Sequence, residues 1–326
     1  MKVPCFSSQP YDRDFLSRAA QGTGLQWEFL EASLDATTGV LAEGRSALCA
    51  FVNDRLDGPT LRRLHESGLR GVALRCAGFN NVDLEVCREL GIKVARVPAY
   101  SPYAVAEHTV ALLMTLNRHV HKAYNRVREG NFALSGLLGF DLHGKTVGVV
   151  GTGKIGSIVV DILRGFGCQV LAHDPYPSRE DLEYVDLDTL LRRSRVVSLH
   201  LPLTPDSHHI IDAEALKRMP TGAILVNTSR GALIDTPAVI AALKSGHLGG
   251  LAIDVYEEEA DLFFRDLSGQ VIQDDVFARL SSFPNVLITG HQAFFTQEAL
   301  EAIAETTVRN LLDFEQGRDL GDRLVE

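Results

Sequence analysis

Three side chains that could transfer a proton and hold an anion follow apolar runs of the chain. Arg230 follows one run, the glutamates Glu257–Glu259 follow the next, and His291 follows a third. Histidine has a reference pKa of about 6.5, so it can give and take protons near neutral pH. A neighbouring carboxylate would orient its ring. An arginine would bind a second carboxylate through two parallel hydrogen bonds.

Each of these residues also has a simpler interpretation as a solvated surface group. The chain has 11 histidines, and most of them must be surface or packing residues. The three glutamates would ordinarily form an exposed charged face with Asp261, and the sequence does not tell which of them faces inward. A functional site is favoured because all three side-chain types follow predicted strands. Open parallel sheets bind ligands beyond the carboxyl ends of their strands.

The glycine-rich turn Gly151-Thr152-Gly153-Lys154-Ile155-Gly156 predicts a dinucleotide site, because it follows a buried strand and opens an amphipathic stretch. The first glycine permits a tight turn, the second lets the backbone approach a pyrophosphate, and the third lets the helix pack closely. The helix N-terminus attracts the anion. At the end of the next strand, Asp174 could accept the ribose hydroxyls and would repel a 2′-phosphate, which favours NAD over NADP. With such a cofactor, the side chains above would suit reduction of a 2-oxo acid.

Short apolar runs alternate with amphipathic stretches along the chain, a pattern typical of parallel sheets covered by helices. A length of 326 residues exceeds what one hydrophobic core usually serves, so we expect two domains. Ser101 and Pro102 predict the start of a helix running to about Glu129, which would connect the domains. The last helix, Gln297–Gln316, would cross back to the first domain. The predicted strands are Val3–Phe6, Gln26–Leu30, Leu48–Val52, Val72–Arg75, Lys93–Val97, Lys145–Val150, Gln169–His173, Val196–Leu199, Ala223–Asn227, Gly250–Asp254 and Val286–Ile288.

Composition excludes several classes of protein. A net charge of −10 argues against nucleic-acid binding, which needs basic groups opposite the phosphates. The five cysteines form no CxxC pair and no cluster with histidine, so we expect reduced thiols and no metal site. The N-terminus lacks a secretory signal, and the most apolar helical stretch is too short to span a membrane. We therefore expect a cytoplasmic protein that contacts neither nucleic acid nor membrane.

Eight motifs in order make the sequence similar to the D-isomer-specific 2-hydroxyacid dehydrogenases, and within them most similar to the bacterial D-lactate dehydrogenases. The likeness covers nearly the whole chain. The motifs are Arg75-Cys-Ala-Gly78-Phe-Asn-Asn-Val-Asp83, Val97-Pro-Ala-Tyr100-Ser-Pro, Gly151-Thr-Gly-Lys-Ile-Gly156, His173-Asp-Pro-Tyr-Pro177, Ser198-Leu-His-Leu-Pro-Leu-Thr204, Asn227-Thr-Ser-Arg-Gly231, Asp254-Val-Tyr-Glu-Glu-Glu259 and His291-Gln-Ala-Phe294.

The resemblance implies an α/β fold of two doubly wound parallel sheets, with a Rossmann NAD-binding domain (99–294) inserted in a flavodoxin-like substrate domain (1–98 and 295–326). It implies an NAD-dependent D-lactate dehydrogenase in which His291 is the acid/base, Glu259 its partner and Arg230 the substrate clamp. The substrate would contact Ala77, Gly78, Tyr100, Phe294 and Phe51. The cofactor would contact Gly151, Thr152, Gly153, Lys154, Ile155, Gly156, Asp174, Pro202, Thr228 and Asp254.

The choice of pyruvate as substrate rests first on an acidic, aromatic insertion after Glu259, similar to that of D-lactate dehydrogenases. It rests also on Phe51, Tyr100 and Phe294, which would admit only a methyl-sized substrate side chain. Bulkier 2-oxo acids and hydroxypyruvate remain alternatives, and so does a non-catalytic NAD-sensing scaffold. The family resemblance also implies a homodimer or homotetramer. Within its motifs, His108 would be structural, at a subunit contact, and His200 would lie near the nicotinamide.

Overall fold

Two compact units make up the chain. The computed structural model describes residues 1–259 and 262–325. Unit 1 comprises Met1–Ser101 and Phe295–Glu326, and unit 2 comprises Pro102–Phe294. Unit 1 is therefore discontinuous in sequence. The boundaries between the units lie after residue 101 and after residue 294. The sequence prediction placed these boundaries after residue 98 and after residue 294.

Unit 1 is built on a largely parallel sheet with strand order β13-β5-β4-β3-β1-β2. Only the last strand is antiparallel, where it pairs with β5 at the edge. The strands are β1 (Lys2–Cys5), β2 (Gln26–Phe29), β3 (Ala47–Ala50), β4 (Gly71–Leu74), β5 (Lys93–Ala95) and β13 (Leu324–Val325). The helices are α1 (Pro10–Ala19), α2 (Gly58–Glu66), α3 (Leu84–Leu90) and α11 (Gln297–Gln316).

Unit 2 has an all-parallel sheet with strand order β12-β11-β10-β9-β6-β7-β8. The order reverses between β6 and β9, the point where such sheets bind ligands. The strands are β6 (Thr146–Val150), β7 (Gln169–His173), β8 (Glu183–Tyr184), β9 (Val196–Leu199), β10 (Ala223–Asn227), β11 (Leu248–Ile253) and β12 (Val286–Ile288). The helices are α4 (Pro102–Asn117), α5 (Val120–Arg128), α6 (Lys154–Gly165), α7 (Leu187–Arg193), α8 (Ala213–Arg218), α9 (Thr236–Lys244) and α10 (Asp275–Ser281).

Both faces of the unit 2 sheet are buried, as the continuous apolar runs of its strands require. In β6, Val147 and Val149 belong to one core cluster and Val150 to the other, because successive side chains point to opposite faces. The predicted class of two doubly wound parallel sheets is confirmed. In residues 1–259 and 262–325, no helix combines the length and apolar content needed to span a bilayer.

The single helix predicted from Pro102 to about Glu129 is wrong, because two helices, α4 and α5, occupy this stretch. His119 adopts a left-handed conformation with φ of 51°, which ends the helical path. At the end of α4, the side chain of Asn117 donates to the Phe140 carbonyl at 2.7 Å and accepts from its amide at 3.1 Å. These bonds hold a distant segment against the helix end, a contact that local sequence does not reveal.

Candidate active site

The glycine-rich turn between β6 and α6 leaves no space for a side chain at its first and last glycines. Gly151 has φ of 90°, and a Cβ there would lie 2.3 Å from the His200 carbonyl oxygen. A Cβ on Gly156 would lie 2.0 Å from the Gly151 carbonyl oxygen. Gly153, the N-cap residue of α6, has no atom within 4 Å of its Cβ position. The turn thus presents an open, side-chain-free helix N-terminus, which fits a dinucleotide pyrophosphate.

Asp174 follows β7 and is tied to this turn. Its Oδ2 accepts hydrogen bonds from the Thr152 amide at 2.6 Å and the Thr152 hydroxyl at 3.0 Å, and its Oδ1 accepts from the Tyr176 amide at 2.8 Å. Partial burial alone would raise the pKa of Asp174, but the amide hydrogen bonds outweigh it and hold the pKa below its usual range. The carboxylate is therefore ionised, as an acceptor for ribose hydroxyls must be.

The remaining cofactor candidates lie on turns that follow strands of the same sheet, or on the first turn of α6. Lys154 is exposed and Ile155 half-buried on that helix. Pro202, exposed after β9, accepts a hydrogen bond from Ser207 through its carbonyl oxygen at 2.7 Å. Thr228 is buried after β10, and its hydroxyl lies 2.7 Å from that of Thr109.

The structure brings His291 and Glu259 together. Nδ1 of His291 lies 2.7 Å from Oε1 of Glu259, and each side chain is 22% exposed. The other oxygen, Oε2, accepts from the Tyr256 amide at 2.9 Å. The three glutamates therefore differ, because Glu259 contacts His291, Glu257 contacts His209 at 2.6 Å, and Glu258 is exposed.

Asp254 fixes the segment that carries His291. The Asp254 carbonyl accepts the His291 amide at 2.8 Å, and its carboxylate accepts the amides of Gln292 at 2.9 Å and Ala293 at 2.8 Å. Burial alone would raise the pKa of Asp254, but the bonds from His108, Thr289 and these amides lower it overall. The Asp254 carbonyl thus holds the His291 amide, and the ionised carboxylate holds the two residues that follow it. The φ of 53° at His291 is unusual for a non-glycine residue.

Arg230 follows β10, the strand between β9 and β11. Its Nη1 donates to the Ser229 carbonyl at 2.7 Å, and within residues 1–259 and 262–325 it pairs with no carboxylate. The next residue, Gly231, packs against the loop before Glu259, since a Cβ there would lie 2.1 Å from the Tyr256 carbonyl carbon. Arg230, Glu259 and His291 therefore follow the adjacent strands β10, β11 and β12.

In unit 1, Ala77 and Gly78 follow β4 and are half-buried. Their amides donate to no acceptor in the described part of the chain, whereas the Ala77 carbonyl accepts from Arg96 at 3.2 Å. Two neighbouring amides are thus available to hold an anion. Tyr100 is half-buried, and Phe294, in unit 2, is 9% exposed.

Phe51 lies in the core of unit 1, where it is 7% exposed. Its ring centroid is 4.6 Å from the guanidinium carbon of Arg75. Arg75 is itself 2% exposed and bonds Asp12 at 3.1 Å and the Ser7 carbonyl at 2.7 Å. This buried ion pair was missed by sequence reasoning, and the contact gives Phe51 a packing function.

Two further histidines have defined surroundings. His200, beside the glycine-rich turn, has Nε2 2.8 Å from the Ser198 hydroxyl. Burial lowers its pKa to about 3, so the ring is neutral at working pH and lacks the acidic proton of an imidazolium. Nε2 of His108 lies 3.1 Å from the Thr289 hydroxyl and 3.5 Å from Asp254. It supports the Asp254 network within the subunit.

Comparison with known proteins shows similarity over both units. A family model described as "D-isomer specific 2-hydroxyacid dehydrogenase, NAD binding domain" matches residues 110–293, a range within unit 2. The D-lactate dehydrogenase of Escherichia coli (strain K12) is 52% identical over 329 residues, which cover 100% of both chains. D-lactate dehydrogenase kk1H of Curvularia clavata is 51% identical over 333 residues, 100% of this chain and 96% of that one. A solved structure described as the pyruvate reductase of Chlamydomonas reinhardtii has a TM-score of 0.94 and 45% identity, covering 99% and 98%.

Proposed function

The chain belongs to the D-isomer specific 2-hydroxyacid dehydrogenases, and we propose that within this family it is an NAD-dependent D-lactate dehydrogenase. It interconverts pyruvate and D-lactate. The observation that carries the proposal is the 2.7 Å contact between His291 and Glu259 in the NAD-binding unit. The relatives named D-lactate dehydrogenase and pyruvate reductase support the choice of substrate.

The proposed chemistry of the unit 2 residues follows from their positions. The glycine-rich turn and Asp174 would hold NADH, which when bound would supply the hydride for C2 of pyruvate. His291 donates the proton to the carbonyl oxygen from Nε2, because Nδ1 is engaged by Glu259. Glu259 orients the ring and stabilises its protonated form. Arg230, which pairs with no carboxylate in the described residues, polarises the carbonyl and binds the substrate carboxylate.

We propose that the Ala77 and Gly78 amides also bind the substrate carboxylate. Both amides are without an acceptor in residues 1–259 and 262–325, and hydrogen bonds from amides to a carboxylate are charge-assisted and short. A carboxylate at this point would satisfy two donors that would otherwise depend on water. Pyruvate carries such a group beside its ketone.

Tyr100 and Phe294 are the aromatic residues that we propose restrict the substrate side chain. Phe51 packs against Arg75 in the core of unit 1. The insertion after Glu259 contributes to the same preference. Its first two residues, Ala260 and Asp261, lie outside the described residues, and α10 forms its later part. Phe264 in this segment has its ring centroid 5.6 Å from that of His291, which supports a place for the insertion beside the acid/base residue.

Substrate preference is tested by NADH consumption with pyruvate, 2-oxoisocaproate, phenylpyruvate and hydroxypyruvate, with chiral analysis of the product. We expect the highest kcat/KM with pyruvate and D-lactate as the product. A higher kcat/KM for a bulky acid or for hydroxypyruvate would overturn the lactate assignment. Binding of NADH without turnover of any of these acids would overturn the enzymatic function and favour an NAD-sensing scaffold.

We also propose that the protein is a homodimer joined through α5 and the segment after it. Six apolar side chains in this stretch are 52 to 91% exposed, a concentration that marks interaction surfaces. They are Val120, Tyr124, Val127, Phe132, Leu134 and Leu138. Light scattering after gel filtration should give twice the 35.6 kDa chain mass, and Val127→Glu should give the monomer. Val271→Glu, at an apolar residue 80% exposed elsewhere in unit 2, is the matched control.

The cytoplasm is the compartment that we propose for this enzyme. Four cysteines are buried free thiols, namely Cys5, Cys49, Cys87 and Cys168, as expected where thiols are kept reduced. Cell fractionation with an antibody to the protein tests this, and recovery in a membrane or secreted fraction would overturn it.

A further inference from the structure

A cluster of metal-ligating side chains lies outside the proposed catalytic set. It consists of His208 and His209, from the turn after β9, and Glu257, from the loop after β11. Nε2 of His209 lies 2.6 Å from Oε1 of Glu257, and the two imidazole rings stack with centroids 3.9 Å apart. One ligand atom from each of the three residues lies within 4.8 Å of the others.

The backbone holds these side chains in place. His209 has φ of 50°, a conformation that is uncommon outside glycine and is kept only where the surroundings enforce it. Its amide donates to the Ala232 carbonyl at 2.8 Å, and the His208 amide donates to the Thr204 carbonyl at 2.9 Å. The backbone of this turn therefore directs two consecutive imidazoles to one side of the chain.

Glu257 is positioned from a different part of the sequence. The Thr236 hydroxyl donates to its Oε2 at 3.3 Å, which leaves Oε1 facing His209. Its backbone is fixed as well, because a Cβ on Gly231 would lie 2.3 Å from the Glu257 nitrogen. Hydrogen bonds to the ligands of a metal commonly set their orientation in this way.

We propose that His208, His209 and Glu257 form a site for a divalent transition-metal ion of the zinc type. Two imidazole nitrogens and one carboxylate oxygen are a donor set that suits zinc, cobalt or nickel, whereas magnesium and calcium prefer oxygen ligands alone. Zinc–nitrogen bonds of about 2.0 Å in a tetrahedral arrangement place ligand atoms about 3.3 Å apart. The contact between His209 and Glu257, at 2.6 Å, is shorter than this value, and all three ligand atoms lie within 4.8 Å of one another, so binding of an ion requires small rotations of the side chains.

The site is open to solvent on one side. His208 is exposed, and the His209 and Glu257 side chains are 31% and 22% exposed. An ion can therefore enter directly and keep water in its fourth position. The cysteine pattern of the sequence predicts no metal site, and the cluster has no local sequence pattern because Glu257 lies 48 positions from His209.

Direct binding tests the proposal. Full-length protein stripped with a chelator and desalted should bind one equivalent of Co²⁺ by calorimetry. The bound cobalt should give a visible absorption spectrum without the near-ultraviolet band of a cobalt–thiolate bond. His208→Ala and Glu257→Gln should each weaken binding at least about 10-fold, since changes even to groups behind the ligands cost this much. His143→Ala, which removes an exposed imidazole elsewhere in unit 2, should leave binding unchanged.

Three results would overturn the assignment. They are the lack of one-to-one binding, binding that survives both His208→Ala and Glu257→Gln, and a spectrum with thiolate ligation. The two variants differ in risk to the fold, because His208 is exposed and glutamine matches the size of Glu257. Circular dichroism on each variant separates loss of the site from loss of the fold.

Discussion

Substitution of Glu259 by glutamine gives the most direct test of the acid/base assignment. The variant keeps the size of the side chain and one oxygen for Nδ1 of His291, but it removes the negative charge 2.7 Å away. Hydrogen bonds to charged groups contribute about 1.5 to 3 kcal/mol. Both side chains are only 22% exposed, so screening by water leaves most of this energy in place.

That energy sets the size of the expected effect. The alkaline limb of pyruvate reduction should move to lower pH. At a fixed pH on that limb, kcat should fall about 10- to 100-fold. The affinity for NADH should stay the same, because the glycine-rich turn and Asp174 belong to other loops.

The assay is kcat/KM for pyruvate against pH, with NADH affinity measured separately by fluorescence titration. Glu258→Gln is the matched control, since it removes the same charge from an exposed neighbour and should leave the profile in place. A chelator in all buffers keeps the proposed metal site out of the comparison. Coincident profiles for Glu259→Gln and the parent protein would refute the proposed role of Glu259.

Three further predictions concern the substrate clamp, the cofactor preference and the pH stability. Arg230→Lys should lower kcat/KM for pyruvate about 10- to 100-fold in steady-state assays with NADH affinity retained, because an ammonium cannot replace the planar fork. Asp174→Ala should shift the ratio of NADPH to NADH turnover about 10-fold or more toward NADPH, because the repelling carboxylate is gone. Burial lowers the pKa of His200 to about 3, so the unfolded chain binds more protons below pH 6.5 and stability is lost as pH falls. The free energy of unfolding, measured with urea, should fall by about 2 kcal/mol between pH 6.5 and 4.5. In His200→Gln this fall in the free energy of unfolding should be smaller.

Local signals were sufficient for the secondary structure that carries the site. The bounds of β7, β9, β10, β12 and α11 agree with the sequence prediction residue for residue. Buried parallel strands are continuous apolar runs, and the polar residue that follows each run marks its carboxyl end. Because strand ends of a parallel sheet meet at one edge, three separate motifs could be assigned to the same region before any distance was known.

Contacts between distant segments were beyond the sequence. The three residues after β11 are all glutamates, so the sequence alone does not distinguish them. The fold does, because Glu259 contacts His291 and Glu257 contacts His209. The end of α4, next to the break before α5, is bonded through Asn117 to Phe140, which lies 23 positions away. The resemblance to the family selected Glu259 correctly for the contact, but it gave no indication of the break or of the cluster at Glu257.

The position of His291 depends on Asp254 as much as on Glu259. Asp254 is 0% exposed, and its carbonyl and carboxylate accept three consecutive amides, those of residues 291 to 293. Within residues 1–259 and 262–325, the Glu259 carboxylate bonds the His291 ring and the Tyr256 amide, so its loss changes the charge beside the imidazole and leaves the amide bonds of residues 291 to 293 in place. Loss of the Asp254 carboxylate would instead leave the amides of Gln292 and Ala293, the two residues after His291, without their acceptor. The sequence pattern from Asp254 to Glu259 thus encodes two separable functions, one that places the histidine and one that sets its charge.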